Sequence, residues 1–309
     1  MKKVFQILPV LSGICFGSAG IFVRELSLTM DSMTIVASRM MMAVLILAVG
    51  MAIFHRDYFK IRLKDIWIFP CSGILGTLGL NICYNFALKE LTLSLSAVLL
   101  SLAPVFVILM AFIIFHEPVG VKKVVCVLMA IVGCVLSSGV LEGSSAMKWS
   151  WIGIFVGGCG AFFYALYSIF SKTAMERGYA AFTITFYSML SICIVLLPFT
   201  RWDSIGATLA QAPLKMGGFM ILHSLCTAVF PYVFYTLGLN YMEAGKASIL
   251  SSCEPVAAMV FGAIFFDEIP TPLSILGLVI VLVALAMLVL SPKTQEMAEN
   301  GSLANTKHQ

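Results

Sequence analysis

Three side chains stand out because they carry, or can carry, charge where the surrounding sequence is apolar: Arg39, His223 and Glu254. Glu254 sits directly before Pro255 near the middle of a long hydrophobic run. An ionised carboxylate at the centre of a bilayer costs about 2.5–3.5 kcal/mol or more, so such a group must face an aqueous cavity, find a partner or hold a proton. Two chemistries follow. Either Glu254 lines a path for a solute, binding an amine or hydroxyl or accepting a coupling proton, or it is a protonated carboxyl hydrogen-bonded to a neighbouring helix. His223 titrates near neutral pH if a cavity reaches it, and is otherwise a hydrogen-bonded interior group. Arg39, a third of the way into its run, has three readings: it snorkels to the outer interface, pairs with a carboxylate, or binds an anionic solute.

Around these lies a set of residues suited to weak polar contacts: Asn81, Tyr84, Asn85, Ser94, Ser96, Ser101, Tyr164, Tyr167, Ser168, Thr227, Tyr232, Tyr235 and Ser252, with Phe16 as a candidate for the cavity wall. A small-molecule site needs a few such groups among apolar walls. Tyrosines near the ends of hydrophobic runs anchor equally well at the membrane interface.

No catalytic constellation competes with this reading. His55, His116, His223 and His308 are scattered, without an H-x-x-x-H pair, and Gly13-Ile-Cys-Phe-Gly-Ser-Ala-Gly ends without the lysine of a phosphate-binding loop. The nine cysteines show neither metal-ligand spacing nor a disulfide framework, and read as small packing residues. The sequence therefore predicts no metal, no other cofactor and no enzymatic reaction.

The elements that must position these groups are dictated by composition. The chain has 309 residues, 61% of them hydrophobic and 11% charged, with a mean hydropathy of +1.03. That charge cannot cover a water-facing surface, since soluble domains carry about a quarter charged residues. Ten apolar runs can be marked, at roughly 4–23, 33–54, 66–88, 92–115, 121–141, 151–171, 180–199, 217–239, 244–266 and 272–290. Each approaches the ~20 residues of a membrane-crossing helix, and lipid leaves no other way to satisfy the backbone. The first run is too long for a signal peptide and has no clear cleavage site after it, so it is expected to be a retained span. Placing both termini in the cytoplasm puts thirteen of the 19 Lys and Arg on the inner side and five outside, as the positive-inside rule requires. The formal charge of +4 is then a matter of topology, and no nucleic-acid partner is implied.

Residues 84–117 align without a gap on 235–268, an offset of 151, with nine of 34 pairs identical. Tyr84 falls on Tyr235, Ser101 on Ser252, Pro104 on Pro255 and Glu117 on Glu268. The earlier parts match weakly at an offset of 148, with Phe16 on Tyr164 and Arg24 on Lys172. Chance rarely places a mid-run proline and then a glutamate thirteen residues on, twice. Five spans per copy is an odd number, so the copies enter the membrane from opposite sides, the pattern of many secondary carriers. Pro104 and Pro255 are expected to kink spans 4 and 9, freeing the carbonyls of Leu100 and Ser251. Glu117 and Glu268, being duplicated, are expected to hold helix ends together or to gate, through backbone N–H groups or a cation.

Several of these segments resemble the EamA-type transporters of the drug/metabolite transporter superfamily: Gly13-Ile-Cys-Phe-Gly-Ser-Ala-Gly, Ala37-Ser-Arg-Met-Met-Met-Ala, Ser248-Ile-Leu-Ser-Ser-Cys-Glu-Pro-Val and Phe266-Asp-Glu. Phe16 departs from the pattern, which often has Trp there, whereas Arg39 agrees with it, and the resemblance implies a structural or gating role for Arg39 through an internal partner. The resemblance covers about residues 4–290 and implies ten helices in two five-helix repeats that move small metabolites. It also implies a midplane cavity bounded by spans 1, 3, 4, 6, 8 and 9.

The sequence is thus read as an all-α membrane protein of ten transmembrane helices in two inverted repeats, residues 1–145 and 146–291, with a polar cytoplasmic tail at 292–309. It is expected in the cell's inner membrane, moving a small solute such as an amino acid, outward by preference, with protons as a candidate coupling ion. The other classes consistent with the chain are a membrane-embedded sensor or scaffold and an enzyme for lipid-linked substrates. The sequence does not give an oligomeric state.

Overall fold

The computed structural model describes residues 5–91, 96, 99–137, 141, 150–267 and 270–289, and among these every regular element is helical. The first half contains α1 (Ile7–Gly17), α2 (Ala19–Leu26), α3 (Ser32–Phe54), α4 (Gly79–Glu90), α5 (Ala103–Phe115) and α6 (Val121–Ser137). The second contains α7 (Trp151–Glu176), α8 (Ala181–Leu196), α9 (Trp202–Gln211), α10 (Pro213–Ser224), α11 (Phe230–Tyr241), α12 (Ala244–Ser251), α13 (Glu254–Phe266) and α14 (Pro272–Val289).

Among the described residues, seven stretches are long and apolar enough to cross a membrane: Ile7–Leu26, Ser32–Phe54, Leu63–Ala87, Trp151–Glu176, Ala181–Phe199, Pro213–Tyr241 and Ala244–Phe266. The other three expected spans hold the shorter described helices α5, α6 and α14. α5 has 13 residues, about 20 Å at 1.5 Å per residue, because a turn at Ser101–Leu102 starts the helix afresh just before Pro104. Helix starts follow local chemistry elsewhere too. Asp31 caps α3 by accepting from the Thr34 amide at 3.3 Å and hydroxyl at 2.6 Å, and Ser150 accepts from the Gly153 amide at 3.2 Å to open α7.

The element boundaries repeat with the offset seen in the sequence. α4 and α11 begin at 79 and 230, α5 and α13 at 103 and 254, and α6 and α14 at 121 and 272. The irregularities repeat as well. π-helical segments Cys71–Leu78 and Leu225–Val229 precede α4 and α11. α5 and α13 each end on a left-handed residue, His116 (φ 55°) and Asp267 (φ 54°). The prolines differ from the expected kinks. Pro104 and Pro255 lie in the first turns of α5 and α13, each just after a two-residue turn at 101–102 or 252–253. There the missing proline N–H has no intrahelical partner to lose.

Direction can be read from side-chain contacts. The Arg201 amide, just past the end of the α8 span, donates to Thr34 Oγ1 at the start of α3 at 3.2 Å. Thr183 Oγ1, at the start of α8, donates to the Tyr58 carbonyl beyond the end of α3 at 2.8 Å. α3 and α8 are therefore antiparallel neighbours.

Close helix contact depends on glycine at particular points. A Cβ on Gly13 would lie 2.5 Å from the Ser251 carbonyl oxygen, and one on Gly76 would lie 2.7 Å from Tyr167 Cα. These contacts press α1 onto the α12–α13 junction, and the third span onto α7. The main core joins α3, α7, α8 and α11 through buried residues such as Met40, Leu47, Ala165, Met189 and Val233. Large apolar side chains such as Ile53 and Ile113 point outward, each 69% exposed, as lipid contact requires.

Candidate functional site

Two helices supply matching polar faces. Tyr164, Tyr167 and Ser168 follow i, i+3, i+4 spacing on α7, and Tyr232, Tyr235 and Thr236 do so on α11, so each set shares one face. Ser168 Oγ and the Tyr235 hydroxyl are 2.6 Å apart, and the Tyr167 hydroxyl and Thr236 Oγ1 2.9 Å apart. The Tyr164 hydroxyl donates to Ser251 Oγ at 3.4 Å, reaching the last turn of α12. Tyr232 packs edge-on to both Tyr167 and Phe16, with ring centroids 5.1 Å apart in each case. This layer joins α1, α7, α11 and α12 in the middle of the bundle.

Glu254 opens α13 immediately after the break. Glu254 is half-buried, and it makes no hydrogen bond or ion pair with the described residues. It lies within electrostatic reach of the hydroxyls of Tyr84, Tyr164 and Tyr232. The start of a helix is a favourable place for negative charge. An isolated carboxyl here can accept an ammonium or hydroxyl from a solute, or bind a proton.

Arg39 turns inward. Its Nη2 donates to Asn81 Oδ1 over a long 3.4 Å, and Asn81 Nδ2 donates to the Thr77 carbonyl at 2.7 Å. Arg39 Nε is buried without a partner. His223 is 1% exposed and stacks on Phe22 with centroids 5.2 Å apart. Its Nε2 also lacks a partner, as do Asn85 Nδ2 and Ser248 Oγ. Ser224 Oγ donates to the Arg39 carbonyl at 2.8 Å, tying α10 to α3.

The remaining candidates fall into place unevenly. Thr227 donates to the His223 carbonyl at 2.8 Å and Ser252 to the Ser248 carbonyl at 3.1 Å, so both hydroxyls are spent on their own helices. Ser101 is buried beside the turn that precedes Pro104, and Ser94 lies outside the described residues. Thr236, Ser251 and Thr77 are part of the polar layer although the sequence did not single them out. Thr236 had a signal, lying four residues after Tyr232.

A second cluster closes one end of the bundle. Glu117, 6% exposed, accepts from the amides of Ala244 at 2.8 Å and Gly245 at 3.4 Å, and pairs with Lys172. Lys123 lies 4.0 Å from Glu117 and 2.5 Å from Glu243, and also donates to the Pro118 carbonyl. Lys172 stands 5.0 Å over the Phe115 ring. At the matching point of the other copy, the Arg24 guanidinium lies 4.2 Å over Phe266, while Glu268 lies outside the described residues. A cavity of about 320 Å³ opens beside the cluster, lined by Lys172, Glu176, Leu239, Tyr241, Met242 and Glu243 among others. No group of three or more His, Cys, Asp or Glu suited to a metal ion occurs among the described residues.

Comparison with known proteins gives a consistent result. The EamA-like transporter family matches residues 4–139 and again 151–290. A transporter of uncharacterised role from Archaeoglobus fulgidus is 27% identical over 74% of this chain and 80% of its own length. Another, YxxF of Bacillus subtilis, is 24% identical over 93% of this chain and 89% of its own. A pseudopaline exporter of Pseudomonas aeruginosa is 22% identical over 92% and 95%. One crystal structure superposes with a TM-score of 0.73 at 10% identity, covering 92% of this chain and 96% of the other, a likeness of fold.

Proposed function

This chain belongs to the EamA-like transporter family, and from that premise we propose that it is a secondary carrier of a small, amine-bearing metabolite such as an amino acid. It is a membrane protein with several helices able to span a bilayer, and the relatives reported above are named transporters. The finer reading is ours. Ten spans form two inverted five-span repeats, 1–145 and 146–291, with both termini in the cytoplasm and 292–309 as a tail. The recurrence of element boundaries at 151 residues supports the duplication, and the antiparallel contact of α3 with α8 supports the inversion. The repeats rock about the tyrosine layer to expose it alternately to each side of the inner membrane. Export is the preferred direction, in line with the relative named as an exporter. The chain is not an enzyme in this reading.

One observation carries it: a carboxyl, Glu254, without a hydrogen bond or ion pair among the described residues, at a break in a spanning helix and within electrostatic reach of three tyrosine hydroxyls. Nothing in packing requires a charge there, and position 103, its match in the first half, is alanine. The test is counterflow of labelled amino acids in proteoliposomes. Wild-type protein exchanges label, and Glu254→Gln loses exchange or its pH dependence while still folding. Unchanged transport and pH profile in Glu254→Gln would remove this residue from the path, and absence of exchange for every amino acid would remove the solute class.

A further inference from the structure

Arg39 carries a charge inside the bundle that the Glu254 site does not use. We infer that Arg39 and His223 form a receptor for a carboxylate of the transported solute, held apart from the Glu254 pole that takes its amine. The inference deepens that function and rests on it for the solute's passage, though not for its binding.

Arg39 has five N–H donors, and its side chain makes one long hydrogen bond, to Asn81. Its Nε is buried and open. Among the described residues no carboxylate lies within ion-pair distance of it, and the titratable side chains that act on it are Tyr232 and His223. A guanidinium taken out of water without a counter-charge is strongly unfavourable, so the site is incomplete as it stands. The second open atom, His223 Nε2, belongs to a side chain near enough to feel the Arg39 charge. With its proton on Nε2, the imidazole offers a further donor, and the bond from the adjacent Ser224 to the Arg39 carbonyl holds the two residues' helices together.

Geometry favours a carboxylate over a monatomic anion. Nε and Nη2 lie on one edge of the guanidinium, the fork that holds two carboxylate oxygens side by side. Asn81 holds Nη2 and is itself anchored to the Thr77 carbonyl, and Ser224 fixes the backbone of Arg39. The fork is therefore aimed before any ligand arrives. Phe22 covers one face of His223 and keeps it from turning away. The Tyr232 hydroxyl is within electrostatic reach of both Arg39 and Glu254, which links the two poles through one side chain. A zwitterion satisfies both.

The test is binding to the purified, detergent-solubilised full chain, read by thermal shift and calorimetry. The probes are sodium acetate, the twenty common amino acids, and the methyl ester and decarboxylated amine of each amino acid that binds. Acids and acetate should raise the melting temperature, and the ester and amine should bind roughly 10- to 100-fold more weakly than the parent acid, the range of a charge-assisted hydrogen-bond pair. Arg39→Gln should erase the difference between acid and ester. Should Arg39→Gln not fold, Arg39→Lys, which keeps charge and loses the fork, and His223→Gln should each narrow it. Equal affinity of wild type for acid and ester overturns the inference. Protection by chloride with none from acetate or any amino acid also overturns it, as does a full acid preference surviving in folded Arg39→Gln. Binding with carboxylate preference but no counterflow would instead overturn the proposed transport and leave this site standing.

Discussion

The charged cluster around Glu117 and the central layer around Glu254 are built on opposite plans. Glu117 is saturated, with two backbone amides from the start of α12 and the ammonium groups of Lys172 and Lys123 around one carboxylate. Glu254, Arg39 Nε and His223 Nε2 are each left open. The saturated glutamate is the one that recurs, at 268, while the open groups face different residues at the 151-residue offset: Ala103 for Glu254 and Ser72 for His223. Ser72 has its partner, with Ser171 Oγ 3.3 Å away. The recurring glutamate, as seen at 117, closes on the helix ends around it, and the open groups Glu254 and His223 have no counterpart of their own kind in the first half.

The sharpest way to break this contrast is to delete the saturated member. Glu117→Ala leaves two buried amides and the largely buried Lys172 ammonium without their acceptor, while Lys123 loses a 4.0 Å contact and keeps Glu243 and the Pro118 carbonyl. It should cost about 3–5 kcal/mol of stability. Denaturation of the purified protein checks it, with Glu117→Gln, which still accepts from the amides, losing less. A Glu117→Ala protein that melts with the wild type would end the view that this cluster holds α5, α6, α7 and α12 together. Glu254→Gln is the counterpart. Because no described residue partners the carboxyl, removing its charge should change stability by no more than about 0.5 kcal/mol or raise it, while exchange or its pH dependence is lost. A large stability loss in Glu254→Gln with transport retained would invert the comparison.

A smaller effect tests how tightly the layer is built. An alanine Cβ at Gly76 would meet Tyr167 backbone at 2.7 Å, whereas one at Gly158 meets nothing within 4 Å. Gly76→Ala should therefore cost about 1–3 kcal/mol by forcing the third span off α7, displacing the Tyr167–Thr236 contact with it. Gly158→Ala, on an open face of the same helix pair, should gain up to about 1 kcal/mol from helix propensity alone. Equal melting temperatures for the two variants would contradict the glycine contact at 76.

The sequence carried the parts that depend on pattern. Apolar length marked the helices, and the matched Pro104/Pro255 and Glu117/Glu268 pairs marked the offset at which the π-helical segments and left-handed caps also recur. It did not carry what depends on neighbours distant in the chain. Lys123 and Lys172 read as positive-inside markers, yet both turn into the Glu117 cluster. Arg39 had three sequence readings because the direction of a long side chain is fixed by Asn81, on another span, and not by its own helix. The break before Pro255 looked like a bend because a proline signals a lost N–H but not whether the helix continues through it or restarts. α9 went unnoticed because ten residues between two spans carry too short a pattern to separate from a loop.

The smallest expected effect lies outside the spans, where a saturated acid is simple to titrate. Burial pushes the Asp31 carboxyl up, but the hydroxyl and amide of Thr34, with further backbone amides, outweigh this and hold it below the usual carboxylate range. A lowered native value means the cap's contribution is full above the unfolded pKa of about 3.9 and fades as pH falls through the native one. Asp31→Ala should cost about 1 kcal/mol, less any part that exposure to solvent removes. The loss should be constant from pH 6 to 8 and shrink below about pH 4. Asp31 resembles Glu117 in plan, a carboxylate given its donors by a helix start, but without the burial. If the two alanine variants lost similar stability at neutral pH, saturation alone would set the cost. If Asp31→Ala costs a third or less of Glu117→Ala, burial of the neighbouring cations is the larger cause, and the same burial is what leaves Arg39 in need of an anion.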